Sequence, residues 1–381
     1  MLASNRTHRV KDPMRRNGSI VHLLIVLALA CTTVVALAST SANAGGGIVA
    51  TRVVGGLNGP AAFTFLADGR IVYAERATGQ IHIYNPATES NGRFFTVPGV
   101  NGDGERGALG VAVSPGWPHP RAIYVYATRS TSRGLRNQIV KVTRSNGHTR
   151  MRVLVSQPAS SSPYHSGGRI LFGPDGMLYA IIGDGHDSSN SQDMSGNLRG
   201  KILRMTPAGG VPAGNPIAGS RVFAFGIRNS YGFTFDAQTG SLWETENGPE
   251  CNDEINLIVG GGNFGWGPNE NCNGDSPGNT NNSGPTPRRM PKLWFVGTIG
   301  ITGAAFCDGC DLGAAVEGDL FFGDVNTGVV HRVALNAARD DVSGNAIDVL
   351  DTPGGVYSME TAPTGRIYFS DAQAIYRLVT A

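Results

Sequence analysis

The chain beyond residue 45 consists of short apolar runs separated by turn residues. The β-rich runs at residues 170–172 and 177–182, for example, flank the turn sequence Gly-Pro-Asp-Gly at 173–176. Runs of this length bounded by Gly, Pro and Asp are typical of paired β-strands. No segment beyond residue 45 shows the apolar periodicity of a three-turn amphipathic helix. The pattern therefore predicts an all-β protein.

The same unit, a β-rich run, a turn and two further β-rich runs, recurs at intervals of roughly 40 to 60 residues. Six copies can be recognised, at residues 62–84, 110–143, 169–205, 222–258, 303–335 and 356–378. Radial repetition of four-stranded units makes a β-propeller, whereas a sandwich lacks this longer period. We therefore expect residues 45–381 to form one six-bladed β-propeller of four-stranded antiparallel blades, with its binding groups at one mouth of the central channel.

The first 44 residues follow a different pattern. Basic residues, among them Arg15 and Arg16, precede a mainly apolar run at 21–38, and the segment ends in Ala-Asn-Ala at 42–44. This order is that of a secretory signal peptide cleaved after Ala44, with Met14 as an alternative start. An uncleaved anchor and a lipid anchor at Cys31 are the alternatives. The segment predicts a secreted or periplasmic location.

The charge balance argues against two classes of partner. The formal net charge is +2, but without residues 1–44 the chain has 26 basic and 28 acidic residues. No Lys/Arg stripe with interleaved aromatic residues is present, so nucleic acid is not expected as a partner. No later run approaches the ~20 apolar residues of a membrane span. The composition, with 54 glycines, 21 prolines and 16% charged residues, suits strands and tight turns.

Four cysteines follow the signal segment, at positions 251, 272, 307 and 310. An even number in an exported chain predicts disulfides. We expect local pairing, Cys251 with Cys272 and Cys307 with Cys310, although four cysteines allow three connectivities. The Cys-x-x-Cys spacing at 307–310 also occurs in redox pairs and as half of a zinc site.

The segment at 164–169, Tyr-His-Ser-Gly-Gly-Arg, is the strongest candidate for chemistry. Its glycines allow close approach of a ligand to the backbone, and its histidine titrates near neutral pH. A loop histidine is more often structural, but Asp184, at the end of the next strand, could orient His165 as a catalytic base.

Two further polar segments could bind ligands. Arg228 and Asn229 lie in a glycine-flanked loop and would suit an anionic or carbonyl-bearing ligand, or form an ion pair between blades. The segment at 246–256 is dense in carboxylates and amides, which suits calcium, although an acidic turn usually faces water.

The segments at 165–169, 183–184, 226–229, 247–249 and 253–258 together resemble the signature loops of the glucose/sorbosone dehydrogenase family, in order and in separation. The resemblance extends over residues 50–381. It implies a six-bladed propeller and a relationship to soluble aldose sugar dehydrogenases that use pyrroloquinoline quinone (PQQ) and calcium.

The resemblance also implies residue roles. His165 is similar to the base that removes the proton of the anomeric hydroxyl, with Asp184 orienting it. Arg228 and Asn229 match residues that contact the quinone, and the carbonyls of Gly248 and Pro249 match ligands of its calcium. A second calcium site is matched by Asp253, Glu254 and the Phe264 carbonyl. A polar position on the sugar side is matched by Glu105.

One feature departs from the family. Its characterised quinone enzymes supply Lys and Arg from the later blades to the cofactor's carboxylates, but residues 293–330 contain neither. Arg169, Arg199 and Lys201 are the candidates to replace them.

Three functions therefore stay open. The first is a PQQ- and calcium-dependent oxidation of an aldose at its anomeric carbon, with an external electron acceptor. The second is a non-catalytic propeller that binds a carbohydrate or protein at the same mouth, and the third a hydrolase with a calcium-activated water. Convergence of His165, Arg228 and the turn at 248–249, with further cations, would favour the first.

Overall fold

The computed structural model describes residues 47–268 and 287–381. These residues form six four-stranded antiparallel sheets arranged as the blades of a ring, which confirms the predicted six-bladed β-propeller. The one helix in the described ranges is α1 (Ser189–Gln192), a single turn. Among these residues no helix is long and apolar enough to cross a membrane.

Each blade consists of an inner strand beside the channel and three strands that follow it outwards. The first three blades are β2 (Pro60–Phe65), β3 (Ile71–Glu75), β4 (Gln80–Asn85), β5 (Ser90–Thr96); β6 (Ala108–Val113), β7 (Ala122–Thr131), β8 (Gly134–Ser145), β9 (His148–Pro158); and β10 (Gly167–Phe172), β11 (Leu178–Ile182), β12 (Lys201–Met205), β13 (Val222–Phe225). The last three are β14 (Ser230–Phe235), β15 (Leu242–Glu246), β16 (Asp253–Ile258), β17 (Leu293–Phe295); β18 (Ile301–Phe306), β19 (Leu320–Asp324), β20 (Val329–Leu335), β21 (Val342–Asp351); and β22 (Ser358–Thr361), β23 (Ile367–Ser370), β24 (Ala374–Thr380), β1 (Ile48–Gly55).

The ring is closed by strands from opposite ends of the described chain. Strand β1 pairs antiparallel with β24, from Ile48 opposite Thr380 to Gly55 opposite Ala374. The sixth blade therefore takes its outer strand from the beginning of the described chain. This pairing ties the first blade to the last and covers the edge of β24 that would otherwise be unpaired.

The core lies between neighbouring blades. One cluster joins the first two blades and includes Val72 and Ile123, and the next joins the second and third and includes Tyr126 and Leu203. Strands such as β11 are buried on both faces. Burial on both faces explains why these strands are continuous apolar runs rather than alternating ones.

Five of the six predicted repeats fall within single blades, and one boundary is wrong. The fourth repeat, at 222–258, begins with β13, which pairs with β12 in the third blade. Strand β13 is short and is followed directly by the loop at 226–229. The sequence pattern therefore assigns β13 to the next repeat. The Cys307–Cys310 disulfide is confirmed. Residues 1–44 and Cys272 lie outside the described ranges, so the signal peptide and the Cys251–Cys272 pairing stay predictions.

The six inner strands run in the same direction through the channel. A cavity at one mouth is lined by residues where these strands begin, including Ala61 and Leu109. A cavity at the other mouth is lined by residues where they end, including Phe65 and Val113. We call these the upper and the lower mouth.

Candidate active site

The upper mouth contains a cavity of about 470 Å³. Its wall includes seven of the candidate site residues named from the sequence: Glu105, His165, Arg228, Asn229, Gly248, Pro249 and Asp253. These residues come from the loops that enter the second, third and fourth blades and from the segment after β15. The tertiary structure thus brings the three predicted segments onto one cavity.

His165 and Asp184 face each other because of strand register. Gly167 pairs with Ile182, so the residue two before β10 lies opposite the residue two after β11. The His165 Nδ1 to Asp184 Oδ1 distance is 2.7 Å. Asp184 is buried and accepts two further hydrogen bonds, from Trp266 Nε1 to Oδ2 and from the His186 N–H to Oδ1. Because Nδ1 donates to the carboxylate, Nε2 is left as the acceptor.

The backbone around His165 is tightly constrained. His165 itself has φ of 55°, in the left-handed region that few side chains other than Asn, Asp and His adopt. A Cβ atom at Gly183 would overlap the His165 carbonyl oxygen. Only glycine therefore permits the approach that brings Asp184 to the imidazole.

Glu105 connects two of the predicted residues. Its Oε2 accepts hydrogen bonds from the His165 N–H at 2.7 Å and from Asn229 Nδ2 at 3.2 Å. The loop that carries Glu105 is held by Arg76, whose Nη1 donates to the carbonyls of Gly102, Gly104 and Arg106. Glu105 thereby fixes the relative position of the third-blade and fourth-blade loops.

Arg228 and Asn229 have unsatisfied polar atoms. Arg228 Nη1 donates to the Asn247 carbonyl at 2.9 Å, and its guanidinium lies 5.3 Å from the centroid of the Trp266 ring. Arg228 Nε and Asn229 Oδ1 are buried without a hydrogen-bond partner in the described part of the chain. Since buried donors and acceptors are normally paired, this pair indicates a place for a polar ligand group.

The turn at Gly248 and Pro249 is held in place by Asp253. Asp253 Oδ1 accepts the Gly248 N–H at 2.8 Å, and Oδ2 accepts three backbone amides where the fifth blade begins, those of residues 299–301. Burial raises the pKa of the Asp253 carboxyl, and these amides oppose the shift. The carboxylate oxygens of Asp253 are thus engaged in positioning the turn.

Asp253 and Glu254 are consecutive residues at the start of β16. Neighbouring residues of a strand point to opposite faces of the sheet. Glu254 lies opposite Glu246 in the register of β15 and β16, and its Oε2 accepts a hydrogen bond from Asn256 Nδ2 at 3.4 Å. Phe264 is buried in the core, and its N–H donates to the Phe225 carbonyl. The second calcium site, with the Phe264 carbonyl as a further ligand, stays a prediction.

The three basic residues suggested as substitutes do not line the cavity. Arg169 Nε donates to the Tyr231 carbonyl, and its guanidinium faces Glu360. Arg199 donates to the Pro158 carbonyl, and Lys201 Nζ donates to three backbone carbonyls. Among the described lining residues the cations are Arg228 and Arg76.

Sequence reasoning missed Arg76 and several neutral lining residues, among them Tyr231, Thr298, Asn326 and Tyr357. Their positions relative to the predicted strands could have identified them. Each of these residues lies just before or within the start of an inner strand, or directly after the second strand of a blade. Once six repeats are aligned, both positions fall at the upper mouth in every blade.

Comparison with known proteins agrees with the fold and with the family resemblance of the sequence. Quinoprotein glucose dehydrogenase B of Acinetobacter calcoaceticus is 33% identical over 247 residues, which are 56% of this chain and 51% of that protein. The Hedgehog-interacting protein of Mus musculus is 30% identical over 180 residues, 40% of this chain and 25% of that protein. The chain thus matches about half, or less, of the length of these curated relatives.

Among solved structures, the PQQ-bound form of an aldose sugar dehydrogenase from Streptomyces coelicolor superposes with a TM-score of 0.75 at 26% identity, covering 89% of this chain and 99% of that one. The family model for glucose/sorbosone dehydrogenase matches residues 57–379. With nearly the whole described propeller inside that match, the chain belongs to the glucose/sorbosone dehydrogenase family.

Proposed function

We propose that this protein is a PQQ- and calcium-dependent dehydrogenase that oxidises an aldose at its anomeric carbon outside the cytoplasm and passes the electrons to an external acceptor. The observation that carries the proposal is the convergence of the His165–Asp184 pair with Arg228 and Asn229 on one cavity. A base beside unsatisfied polar groups is the arrangement that oxidation of a hydroxyl requires.

The residues present fit the quinone and the calcium ion. Arg228 Nε is a buried donor without a partner among the described residues, and it suits a quinone or carboxylate oxygen. Gly248 and Pro249 line the same cavity, and backbone carbonyls are ordinary calcium ligands. Arg228 and Arg76 would compensate part of the cofactor's negative charge.

In this mechanism His165 Nε2 removes the proton of the anomeric hydroxyl as the hydride leaves C1. Asp184 keeps the imidazole in the required tautomer and stabilises the imidazolium that forms. Glu105 and Asn229 hold the sugar-side wall in place through their shared hydrogen bond. When bound, the quinone would accept the hydride and calcium would polarise it, which is chemistry that side chains do not supply.

The proposed location rests on two features. The first 44 residues have the order of a secretory signal. The Cys307–Cys310 disulfide is typical of an oxidising compartment.

A second candidate, a non-catalytic propeller, is favoured by one observation. The described lining residues contributed by the fifth and sixth blades, such as Asn326 and Tyr357, are uncharged, whereas a tricarboxylated quinone would gain from cations there. The similarity to a Hedgehog-interacting protein is consistent with binding of a protein partner at this mouth.

A direct measurement of PQQ binding distinguishes the dehydrogenase from the non-catalytic propeller. Calorimetric titration of the full chain with PQQ should show saturable binding in calcium and loss of binding in a calcium chelator. Dye reduction should then follow addition of an aldose. A protein that binds no PQQ under either condition would contradict the proposal.

His165→Ala should abolish dye reduction and leave calcium and PQQ binding intact, and a variant with full turnover would show that His165 is not the base.

A further inference from the structure

The lower mouth of the channel holds a second cavity, of about 300 Å³. All six inner strands contribute the residues at their ends to its wall. None of the residues that line it also lines the upper cavity. The proposed dehydrogenase chemistry makes no use of this space.

The wall combines aromatic rings with carboxylates. Four of the six blades end their inner strand in phenylalanine, and the acidic members are Glu360 on β22 and Asp308 just after β18; the four rings are Phe65, Phe172, Phe235 and Phe306. Three of these rings are only partly buried. In the described part of the wall there is no Lys or Arg. Phenyl faces and carboxylates together attract a cation that has an apolar body.

The carboxylate of Glu360 is incompletely compensated. Its partner is Arg169, on the opposite side of the channel, at 3.7 Å from Arg169 Nη1 to Glu360 Oε1. Burial raises the pKa of Glu360 to about 7, and Arg169 only partly opposes the shift. Glu360 lines the lower cavity, whereas Arg169 lines neither cavity. A second positive charge on the lower side would complete the compensation.

One cation near this mouth, Arg339, already has partners. The Arg339 guanidinium lies 5.2 Å from the centroid of the Phe306 ring. Arg339 also donates to both oxygens of Asp236, from Nε at 2.7 Å and from Nη2 at 3.0 Å. One phenyl ring of the mouth therefore already has a cation at its face, and the other three, Phe65, Phe172 and Phe235, line the same cavity as Glu360.

We propose that the lower mouth is a binding site for a small organic cation of the quaternary-ammonium class, with its charge at Glu360 and its methyl groups against the phenyl rings. The carboxylate supplies the charge complementarity, and the rings supply cation–π attraction without hydrogen bonds. The site is independent of the sugar and cofactor groups at the upper mouth.

The test compares choline with its uncharged isostere 3,3-dimethylbutan-1-ol, titrated into the full chain by calorimetry or ligand-observed NMR. Choline should bind saturably, and the isostere should bind at least about tenfold more weakly, since the two differ in charge and hardly in shape. Equal affinities, or no saturable choline binding, would overturn the proposal.

Two substitutions locate the site. Glu360→Gln removes the charge, and Phe172→Leu removes one π face but keeps an apolar side chain. Each should weaken choline binding at least about fivefold. If Glu360→Gln fails to fold, Phe172→Leu alone tests whether choline binds at the lower mouth. Glu105→Gln, the matched change at the upper mouth, should leave choline affinity unchanged. Loss of binding in Glu105→Gln with retention in both lower-mouth variants would assign choline to the upper cavity and refute the inference.

Discussion

At the scale of single residues, the candidate site depends on how one carboxylate is held. Asp184 is 1% exposed and accepts hydrogen bonds from His165, His186 and Trp266. Three donors on a buried carboxylate define its orientation and, through it, the tautomer of His165. The imidazole can therefore present Nε2 to the cavity without a rearrangement.

Replacing Asp184 by asparagine tests this role. The amide cannot stabilise an imidazolium and can favour the wrong histidine tautomer, so kcat should fall by about 10²- to 10⁴-fold. KM and PQQ affinity should change little, because neither ligand touches Asp184 in the proposed mechanism. Steady-state dye reduction and calorimetry measure the two quantities.

Asp187→Asn is the matched control, because Asp187 is exposed and, in the described residues, its carboxylate accepts hydrogen bonds only from Ser189. This variant should keep the wild-type kcat. Equal losses in both variants would mean that Asp184 has no specific role in the proton transfer.

At the scale of elements, the segment around α1 supports two sides of the site at once. Asn190 Nδ2 donates to the Asp184 carbonyl, and Ser191 Oγ donates to the Ile227 carbonyl. Lys201, fully buried, donates from Nζ to the carbonyls of Asn190, Ser191 and Arg199. One buried ammonium thus holds the segment that lies behind both Asp184 and Arg228.

Lys201→Met should be strongly destabilising. It keeps the aliphatic volume but removes the three hydrogen bonds from the buried ammonium to backbone carbonyls, so the free energy of unfolding should fall by about 2 to 4 kcal/mol. Urea denaturation measures the loss. Lys141→Met, at a partly exposed position on β8, should change stability by less than about 0.5 kcal/mol. A loss at Lys201 as small as that at Lys141 would contradict the structural role.

The Cys307–Cys310 disulfide closes a loop with a sequence separation of 3. A loop this short removes little entropy from the unfolded chain, so the double substitution Cys307→Ser, Cys310→Ser should cost only about 2 kcal/mol. Thermal unfolding should show a decrease in Tm of a few degrees. PQQ affinity at the upper mouth should not change, since neither cysteine lines that cavity. Loss of folding altogether would show that the bond contributes far more than loop closure.

At the scale of the whole molecule, the Arg169–Glu360 pair connects opposite sides of the ring. Arg169 lies on the inner strand of the third blade and Glu360 on that of the sixth. Their residues are far apart in sequence and meet only because six blades close around one channel. The pair also makes the molecule's stability depend on pH.

Glu360 has a folded-state pKa of about 7, above the ordinary glutamate value, because burial disfavours its charged form. A raised carboxyl pKa contributes stability below the unfolded-state pKa and loses it as pH rises through the folded-state pKa. The free energy of unfolding of the wild type, measured relative to Glu360→Gln, should therefore fall by about 3 kcal/mol between pH 4.5 and pH 8. Urea denaturation of both proteins at each pH gives this difference. A difference that is constant over this range would contradict the shifted pKa.

Much of the fold could be predicted from the sequence alone. Turn residues between short apolar runs encode strand pairing locally, and their recurrence encodes the number of blades, because both depend on neighbouring residues. The opposition of His165 and Asp184 was also foreseeable, since they flank two consecutive strands of one hairpin.

The contacts between blades could not be predicted from the sequence, because they form only when the six blades close into a ring. Asp253 of the fourth blade, for example, accepts three backbone amides where the fifth blade begins. Arg169 and Lys201 looked like cofactor ligands but bind groups within the protein, whereas Arg76 reaches the cavity. The sequence by itself determined the blades and the motifs. Only the tertiary structure decided which charges face the channel, because that depends on how distant strands meet across it.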